Sequence, residues 1–179
     1  MIPPGSYEFG PSNGTMVIRT GRAGMGKKVG HDLVIDVTDW SAKAEVGEDP
    51  ADTNITASAD VGSFQVREGK GGVKALTEDD KSEIKDNITN KILTQPDISF
   101  QSKSADVSEG SAKLSGDLTI MGSTQPVEVQ LTDAGGGKVK ATMEVVQSDF
   151  GIKPFTAMMG ALKVADKVTI EIEAEVPQG

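Results

Sequence analysis

The alternation of apolar and polar residues in the second half of the chain limits the fold more than any other feature. Apolar residues or glycine occupy every second position over residues 112–120, 127–132, 139–145 and 168–176, with polar residues between them. A period of two is typical of a strand with one face on a core and one in water. Five further strand candidates lie upstream, at residues 15–20, 33–46, 54–60, 63–68 and 97–103. The sequence predicts roughly eight to ten strands.

The connections between these strands indicate how the strands pair. Many are short and rich in Gly, Pro, Asp and Ser, as at residues 109–110 and 134–137, which favours antiparallel pairing. A large antiparallel sheet with one apolar face closes on itself or packs on a second sheet. A chain of 179 residues has the size of one domain. We therefore predict a single all-β domain over residues 1–179, a closed antiparallel barrel in preference to a sandwich, with a helix outside it.

Two segments depart from the strand pattern. Thr77 followed by three acidic residues resembles a helix start, and isoleucines then recur every fourth residue at positions 84, 88 and 92. This pattern predicts a helix over residues 78–93 whose narrow apolar stripe lies on the sheet. The second segment, before the last strand, has apolar residues at helical spacing and predicts a short helix or turn. Its apolar residues are Phe155, Met158, Met159 and Leu162.

Charge and composition exclude several classes of function. The formal net charge is −9, from 18 basic and 27 acidic residues, so nucleic acid and anionic membranes are expected to be repelled. With no Cys and a single His, the chain cannot form a disulfide or a Cys/His zinc site. We expect no metal, no cofactor, no nucleic acid and no stable membrane insertion. Residues 1–10 lack the features of a signal peptide, which predicts a cytoplasmic protein.

The sequence offers few signs of catalysis. Residues 21–27 match the phosphate-binding pattern G-x-x-x-x-G-K, but Lys28 stands where a magnesium-binding Ser or Thr is required, and a strand pattern follows where a helix is needed. A flexible turn is the better interpretation. His31 is the single histidine and has no partner at strand spacing, so a serine nucleophile would lack its usual base. We expect no catalytic residues and no enzyme activity.

Several stretches of the sequence resemble the YceI-like family and occur in the family's order. The most specific are P-x-I-x-F-x-S at residues 96–102 and G-D-L-T-I-x-G-x-T-x-P-V at residues 116–127. The others lie at residues 7–13, 29–33 and 148–152. The resemblance implies an extended eight-stranded antiparallel lipocalin-like β-barrel with one or two short helices. It further implies that the apolar pore holds a polyisoprenoid, an isoprenoid quinone or a similar amphiphilic lipid.

The resemblance and the alternation together yield a list of candidate ligand-binding residues. Micromolar affinity would require burial of roughly 15–30 carbons, the size of a prenyl chain. The expected function is a lipid carrier, storage or sequestration protein. The residues expected to line the pore are Leu33, Ile35, Val37, Phe100, Leu118, Ile120, Met143, Phe155, Met158, Met159, Ile170 and Ile172.

Two other functions stay open at this point. One is a non-catalytic interaction or stress-response protein whose barrel is filled by side chains and binds no lipid. Its partner surface would be the helix over residues 78–93 or the acidic last strand. The other is an enzyme that works through scattered carboxylates and His31. A homodimer is also left open.

Overall fold

The computed structural model describes residues 2–157 and 162–177, and at Leu162 the backbone alone. These residues contain one α-helix, α1 (Glu78–Asn87), which continues as a π-helical turn (Ile88–Ile92). Short 3₁₀ turns lie at Pro50–Asp52, Val61–Ser63 and Gln147–Phe150. The strands are β1 (Gly5–Phe9), β2 (Gly14–Arg19), β3 (Arg22–Ala23), β4 (Asp32–Val37), β5 (Trp40–Val46), β6 (Asn54–Asp60), β7 (Phe64–Lys70), β8 (Asp97–Ser108), β9 (Ser111–Ile120), β10 (Ser123–Gly135), β11 (Lys138–Val146), β12 (Thr156–Ala157), β13 (Leu162–Val164) and β14 (Lys167–Glu175).

Eleven of these strands form one antiparallel sheet in the order β1-β5-β6-β8-β9-β10-β11-β14-β2-β4-β7. The first three strands of this order (β1, β5 and β6) and the last three (β2, β4 and β7) are the two halves of three long strands. β1 runs on into β2, β4 into β5, and β6 into β7, with only two to four residues between the halves. Both halves of β4–β5 pair with the corresponding halves of β1–β2 on one side and of β6–β7 on the other. The sheet therefore closes into a barrel of eight long strands.

The inward face of the barrel consists of apolar residues in register across neighbouring strands. Ile170 of β14 pairs with Ile18 of β2 on one side and with Met143 of β11 on the other. Ile18 in turn pairs with Ile35 of β4. The alternation seen in the sequence places these side chains on one face because successive residues of a strand point to opposite faces.

The two ends of the barrel differ in their connections. The end that we call the turn end carries the short connections at residues 47–53, 109–110 and 136–137. The looped end carries the long connections at residues 20–31, 71–96 and 147–166. There β13 pairs with both β12 and β3 to form a small second sheet. The backbone N–H of Val164 also donates to the carbonyl oxygen of Phe155 at 3.0 Å. The first and last of these connections are thus joined by backbone hydrogen bonds.

Helix α1 closes part of the wall at the looped end. Within the described residues, β7 has a strand partner on one side, β4, and α1 packs against it. The helix begins with the predicted capping box: Thr77 Oγ1 accepts from the Asp80 backbone N–H at 3.1 Å, and the Asp80 carboxylate accepts from the Thr77 N–H at 2.8 Å. Covering a strand edge with a helix prevents that edge from pairing with another chain. The predicted helix over residues 78–93 is confirmed.

The remaining sequence predictions divide into confirmed strands and one correction. All nine predicted strand segments are present, and the predicted strand over residues 33–46 is the bent pair β4–β5. The short strands β1, β3, β12 and β13 were not predicted. The expected short helix is absent from the described part of the segment around Phe155, where Thr156–Ala157 forms β12 and Leu162–Val164 forms β13. Met158 and Met159, in the middle of the predicted helix or turn, lie outside the described residues. Among the described helices, none is long and apolar enough to span a membrane.

Candidate functional site

A long cavity of about 1140 Å³ runs through the barrel. Its volume exceeds the range of about 300–1,000 Å³ that is usual for small-molecule pockets. The wall reaches from Gly47 and Gly136 at the turn end to Arg22 and Phe155 at the looped end. The barrel is therefore not filled by side chains, which contradicts the packed-barrel alternative.

The middle of the cavity is apolar because the inward strand residues meet there. Ile35, Val37 and Leu118 expose only 3–4% of their surface. The polar groups of the strands face outward, where they form ion pairs such as Lys113 with Glu128 at 2.6 Å and Lys167 with Glu144 at 2.9 Å. An apolar wall without charges favours an apolar guest, since an uncompensated charge would be costly to bury.

The structure places the residues predicted to line the pore on one surface. Ten of the twelve line the cavity, while Met158 and Met159 lie outside the described residues. The role of all twelve residues in ligand binding stays a prediction. The ten are Leu33, Ile35, Val37, Phe100, Leu118, Ile120, Met143, Phe155, Ile170 and Ile172.

Sequence reasoning missed the residues that create the space. Ala42 of β5 pairs with Ala57 of β6, which pairs with Phe100 of β8, and all three line the cavity. The small alanine side chains leave room that larger residues would fill. The alternation of alanine with polar residues over 42–46 and 55–59 was the available signal, but alanine alone does not distinguish a cavity from a tightly packed core.

Helix α1 and its π-helical turn also contribute to the wall. Ile84, Ile88 and Ile92 line the cavity, as does Leu93. Ile88 and Leu93 pack against the core cluster that contains Trp40 and Phe64. A π-helical turn is rare and occurs often at functional sites. The stripe predicted to lie on the sheet thus forms part of the cavity surface.

Trp40, the single tryptophan of the chain, lines the cavity and exposes 3% of its surface. Its indole Nε1 is buried and has no hydrogen-bond partner among the described residues. A buried donor without a partner is uncommon in folded proteins. The position of Trp40 makes its fluorescence a reporter of what the cavity contains.

The charged residues that line the cavity lie at its two ends. At the looped end, Arg22 Nε donates to Asp32 Oδ1 at 2.9 Å, and Arg22 Nη1 donates to the carbonyl oxygens of Lys27 and Gly30 at 2.9 and 3.0 Å. His31 Nε2 lies 2.7 Å from the carbonyl oxygen of Lys74. Because a carbonyl can only accept, Nε2 carries the proton. Arg22 and His31 thus hold the loop at residues 20–31 and the segment before α1 in place.

The ionisable groups with shifted pKa values have structural partners. The Thr77 backbone N–H lowers the pKa of Asp80 by donating to its carboxylate, and the Ser148 hydroxyl and N–H do the same for Asp166. Both residues are half-buried, and neither lines the cavity. In residues 2–157 and 162–177, no three His, Asp or Glu side chains are close enough together to hold a metal ion.

Comparison with known proteins agrees with this geometry. The family model of the YceI-like domain matches residues 7–176. No curated protein matches the chain. BcnA of Burkholderia cenocepacia is similar in structure, with a TM-score of 0.67 and 17% sequence identity over 94% of this chain and 98% of that chain.

The YceI protein of Campylobacter jejuni is also similar, with a TM-score of 0.59 and 15% identity over 81% of this chain and 85% of that one. A cysteine mutant of that protein, solved with a monobromobimane guest, has a TM-score of 0.57, with 15% identity and the same two coverages. These likenesses show the fold. Since the family model covers nearly the whole chain, this protein belongs to the YceI-like family.

Proposed function

We propose that this protein binds a polyisoprenoid, an isoprenoid quinone or a similar long amphiphilic lipid in its cavity, as a carrier, storage or sequestration protein. The observation that supports this most is the largely apolar cavity of about 1140 Å³, which runs through the barrel and has charged residues only at its ends. An amphiphile matches this distribution, with its tail along the apolar wall and its polar group at an end.

The size of the cavity fits the length of chain that useful affinity requires. Because burial of one CH₂ group contributes about 0.8 kcal/mol, a ligand with micromolar affinity needs roughly 15–30 buried carbons. If each carbon takes about 30 Å³, the volume of one water molecule in the liquid, these carbons occupy about 450–900 Å³. A cavity of about 1140 Å³ accepts such a chain. A small polar metabolite would leave most of the apolar wall without contacts.

The direct test is organic extraction of the natively purified protein followed by mass spectrometry of the extract. We expect a prenyl lipid or quinone in stoichiometric amount. Titration of delipidated protein with a prenyl quinone should quench the emission of Trp40, because this residue lines the cavity. An empty extract, together with unchanged Trp40 emission on addition of prenyl lipids, would contradict the proposal.

A variant that narrows the cavity provides a matched control. Ala57→Phe adds a ring to the inward position between Ala42 and Phe100, and we expect it to reduce lipid uptake while the barrel stays folded. Ser115→Phe adds the same ring at an exposed position of β9 outside the cavity wall, and uptake should not change. Equal uptake by both variants would show that lipid does not occupy the cavity.

A further inference from the structure

The exposed apolar residues of this protein are concentrated at the looped end. Among the described residues, four large apolar side chains are exposed, and all four lie in the connections of that end. Met25 exposes 95% of its surface and Val73 exposes 80%. The other two are Val29 and Phe155. Scattered exposed apolar residues are usual on protein surfaces, but a group at one end indicates a contact surface.

Backbone and side-chain contacts join the three connections that carry these four residues. Arg22 and Ala23 of β3 pair with Val164 and Lys163 of β13, which connects the loop at residues 20–31 with the segment that contains Phe155. On the other side, the Arg22 guanidinium lies 2.5 Å from the position of a Cβ on Gly71. The segment that contains Val73 is therefore in contact with the same loop.

Basic side chains surround the exposed apolar residues. The loop at residues 20–31 contains Arg22, Lys27 and Lys28 and no acidic residue. Lys74 lies next to Val73 in sequence, and Lys163 pairs with Ala23. Among the described residues, no carboxylate forms an ion pair with Lys27, Lys28 or Lys163. Arg22, Lys27 and Lys28 also line a second, smaller concavity with Asp32.

Three of the acidic groups near this surface have partners of their own. Asp32 is paired with Arg22 at 2.9 Å, and Asp166 accepts from the Ser148 backbone N–H at 2.8 Å. Asp80, in the capping box of α1, is near enough to Lys74 and His31 that their charges help to lower its pKa. The net charge of −9 thus conceals a basic loop at residues 20–31, whereas the acidic residues of the looped end are concentrated on α1, at Glu78, Asp79, Asp80, Glu83 and Asp86.

We propose that the looped end docks on the surface of an anionic phospholipid bilayer. Apolar side chains that enter the interface, surrounded by lysines that attract acidic headgroups, are the two contributions that hold peripheral proteins on membranes. The cavity wall includes Phe155, Lys27 and Lys163, so docking would place the end of the cavity against the lipid. The expectation from net charge, that an anionic membrane repels the protein, holds for the outer wall and not for this end.

Vesicle sedimentation tests this surface independently of whether the cavity binds a lipid. The full chain is mixed with phosphatidylcholine vesicles, with or without phosphatidylglycerol, at low and at high salt. We expect sedimentation with the anionic vesicles at low salt, little with the neutral vesicles, and release by salt, since screening weakens charge attraction. Absence of binding to the anionic vesicles, or equal binding to both kinds, would overturn the proposal.

Two double variants with the same change in net charge identify the surface. Lys27→Gln with Lys28→Gln should weaken binding about 25-fold, since each lysine near an anionic surface contributes about fivefold. Lys103→Gln with Lys113→Gln removes two lysines that pair with Asp117 and Glu128 on the outer wall, and binding should not change. Equal loss in both pairs would show that total charge, and not this surface, determines binding.

A fluorescent label reports which end contacts the lipid. Because the chain contains no Cys, Met25→Cys and Ser115→Cys each offer a single site for an environment-sensitive dye. With anionic vesicles, we expect a blue shift from the dye at position 25 and none at position 115, which lies on the outer wall. A shift at position 115 alone, or at neither position while the protein sediments, would overturn the proposed orientation.

Discussion

The ring of Phe100 lies against Gly116 across the β8–β9 pair, where a Cβ on Gly116 would stand 2.6 Å from Cε2 of Phe100 and 2.5 Å from the carbonyl oxygen of Gln101. Both distances are far below van der Waals contact, and the carbonyl belongs to the backbone. The inward position on β9 is therefore restricted to glycine by its neighbours. The lack of a side chain at this position is what allows the aromatic ring to lie flat on the wall.

Gly116→Ala is expected to destabilise the barrel by about 1–3 kcal/mol, because the added methyl group forces the Phe100 ring or β8 to move. Urea unfolding measures the change in the free energy of unfolding. Gly21→Ala serves as the control, since its nearest neighbour would be the Ala165 Cβ at 3.4 Å, and it should change stability little. Equal unfolding midpoints for the two variants would show that the contact with Phe100 does not restrict position 116 to glycine.

Phe100→Asp is expected to abolish lipid binding or folding itself. The substitution places a carboxylate on the apolar wall between Ala57 and Leu118, where burial of an unpaired charge is costly. Glu173→Ala, at an exposed position of β14, should do neither. Circular dichroism separates the folding effect from the binding effect, and unchanged lipid binding by a folded Phe100→Asp protein would remove Phe100 from the site.

His31→Ala is expected to loosen the segment of residues 71–93 without loosening the barrel. The substitution removes the bond from His31 Nε2 to the Lys74 carbonyl oxygen. Few other hydrogen bonds hold this segment to the rest of the protein, so its amides should exchange with solvent about fivefold to tenfold faster, as expected for the loss of about 1–1.5 kcal/mol. Exchange at β9 and β10 serves as the internal control, and faster exchange there would indicate general destabilisation.

The capping box of α1 gives a prediction about pH. The Thr77 N–H lowers the pKa of Asp80 in the folded protein, so the stabilisation of the helix is present above the ordinary pKa of a carboxyl group and is lost as the pH falls through the lowered value. Acidification below about pH 4 should therefore unfold the start of α1 before the barrel. Amide signals of residues 77–81 measured by NMR against pH test this.

Asp80→Asn is the matched control for that titration. The variant should show the loosened helix start already at neutral pH and a smaller further change on acidification, because the carboxylate of the capping box is no longer there to protonate. If the wild-type and variant profiles coincide, the capping box does not control the acid response.

The extent to which the sequence predicts this fold depends on the range of the interactions. The strands over residues 112–120 and 168–176 were predictable because alternation is a local property that burial on one face imposes. The pairing of β14 with β2, which closes the barrel, joins residues about 150 positions apart and leaves no local pattern. For the same reason, the sequence predicted ten residues that line the cavity and missed Ala42 and Ala57, whose small size matters only when their partners are known.

The surface at the looped end shows what net charge does not report. Net charge averages over the whole chain, and the value of −9 favoured repulsion from membranes. Lys27 and Lys28 lie close to Met25 in sequence. The pairing of β3 with β13 is what joins their loop to the segment that contains Phe155. Only two residues of each strand pair here, and a strand of two residues leaves no pattern that can be recognised in a sequence.

For the lipid binding proposed above, the use of α1 as a section of the wall would separate the affinity for the lipid from the rate at which it exchanges. Backbone hydrogen bonds between strands hold the rest of the ring, whereas α1 is held by side-chain packing and a few hydrogen bonds. A substitution that weakens only these contacts lowers the barrier to entry and to exit by the same amount. Association and dissociation rate constants would then rise together while Kd stays constant, so selection could tune the residence time of a guest independently of its affinity.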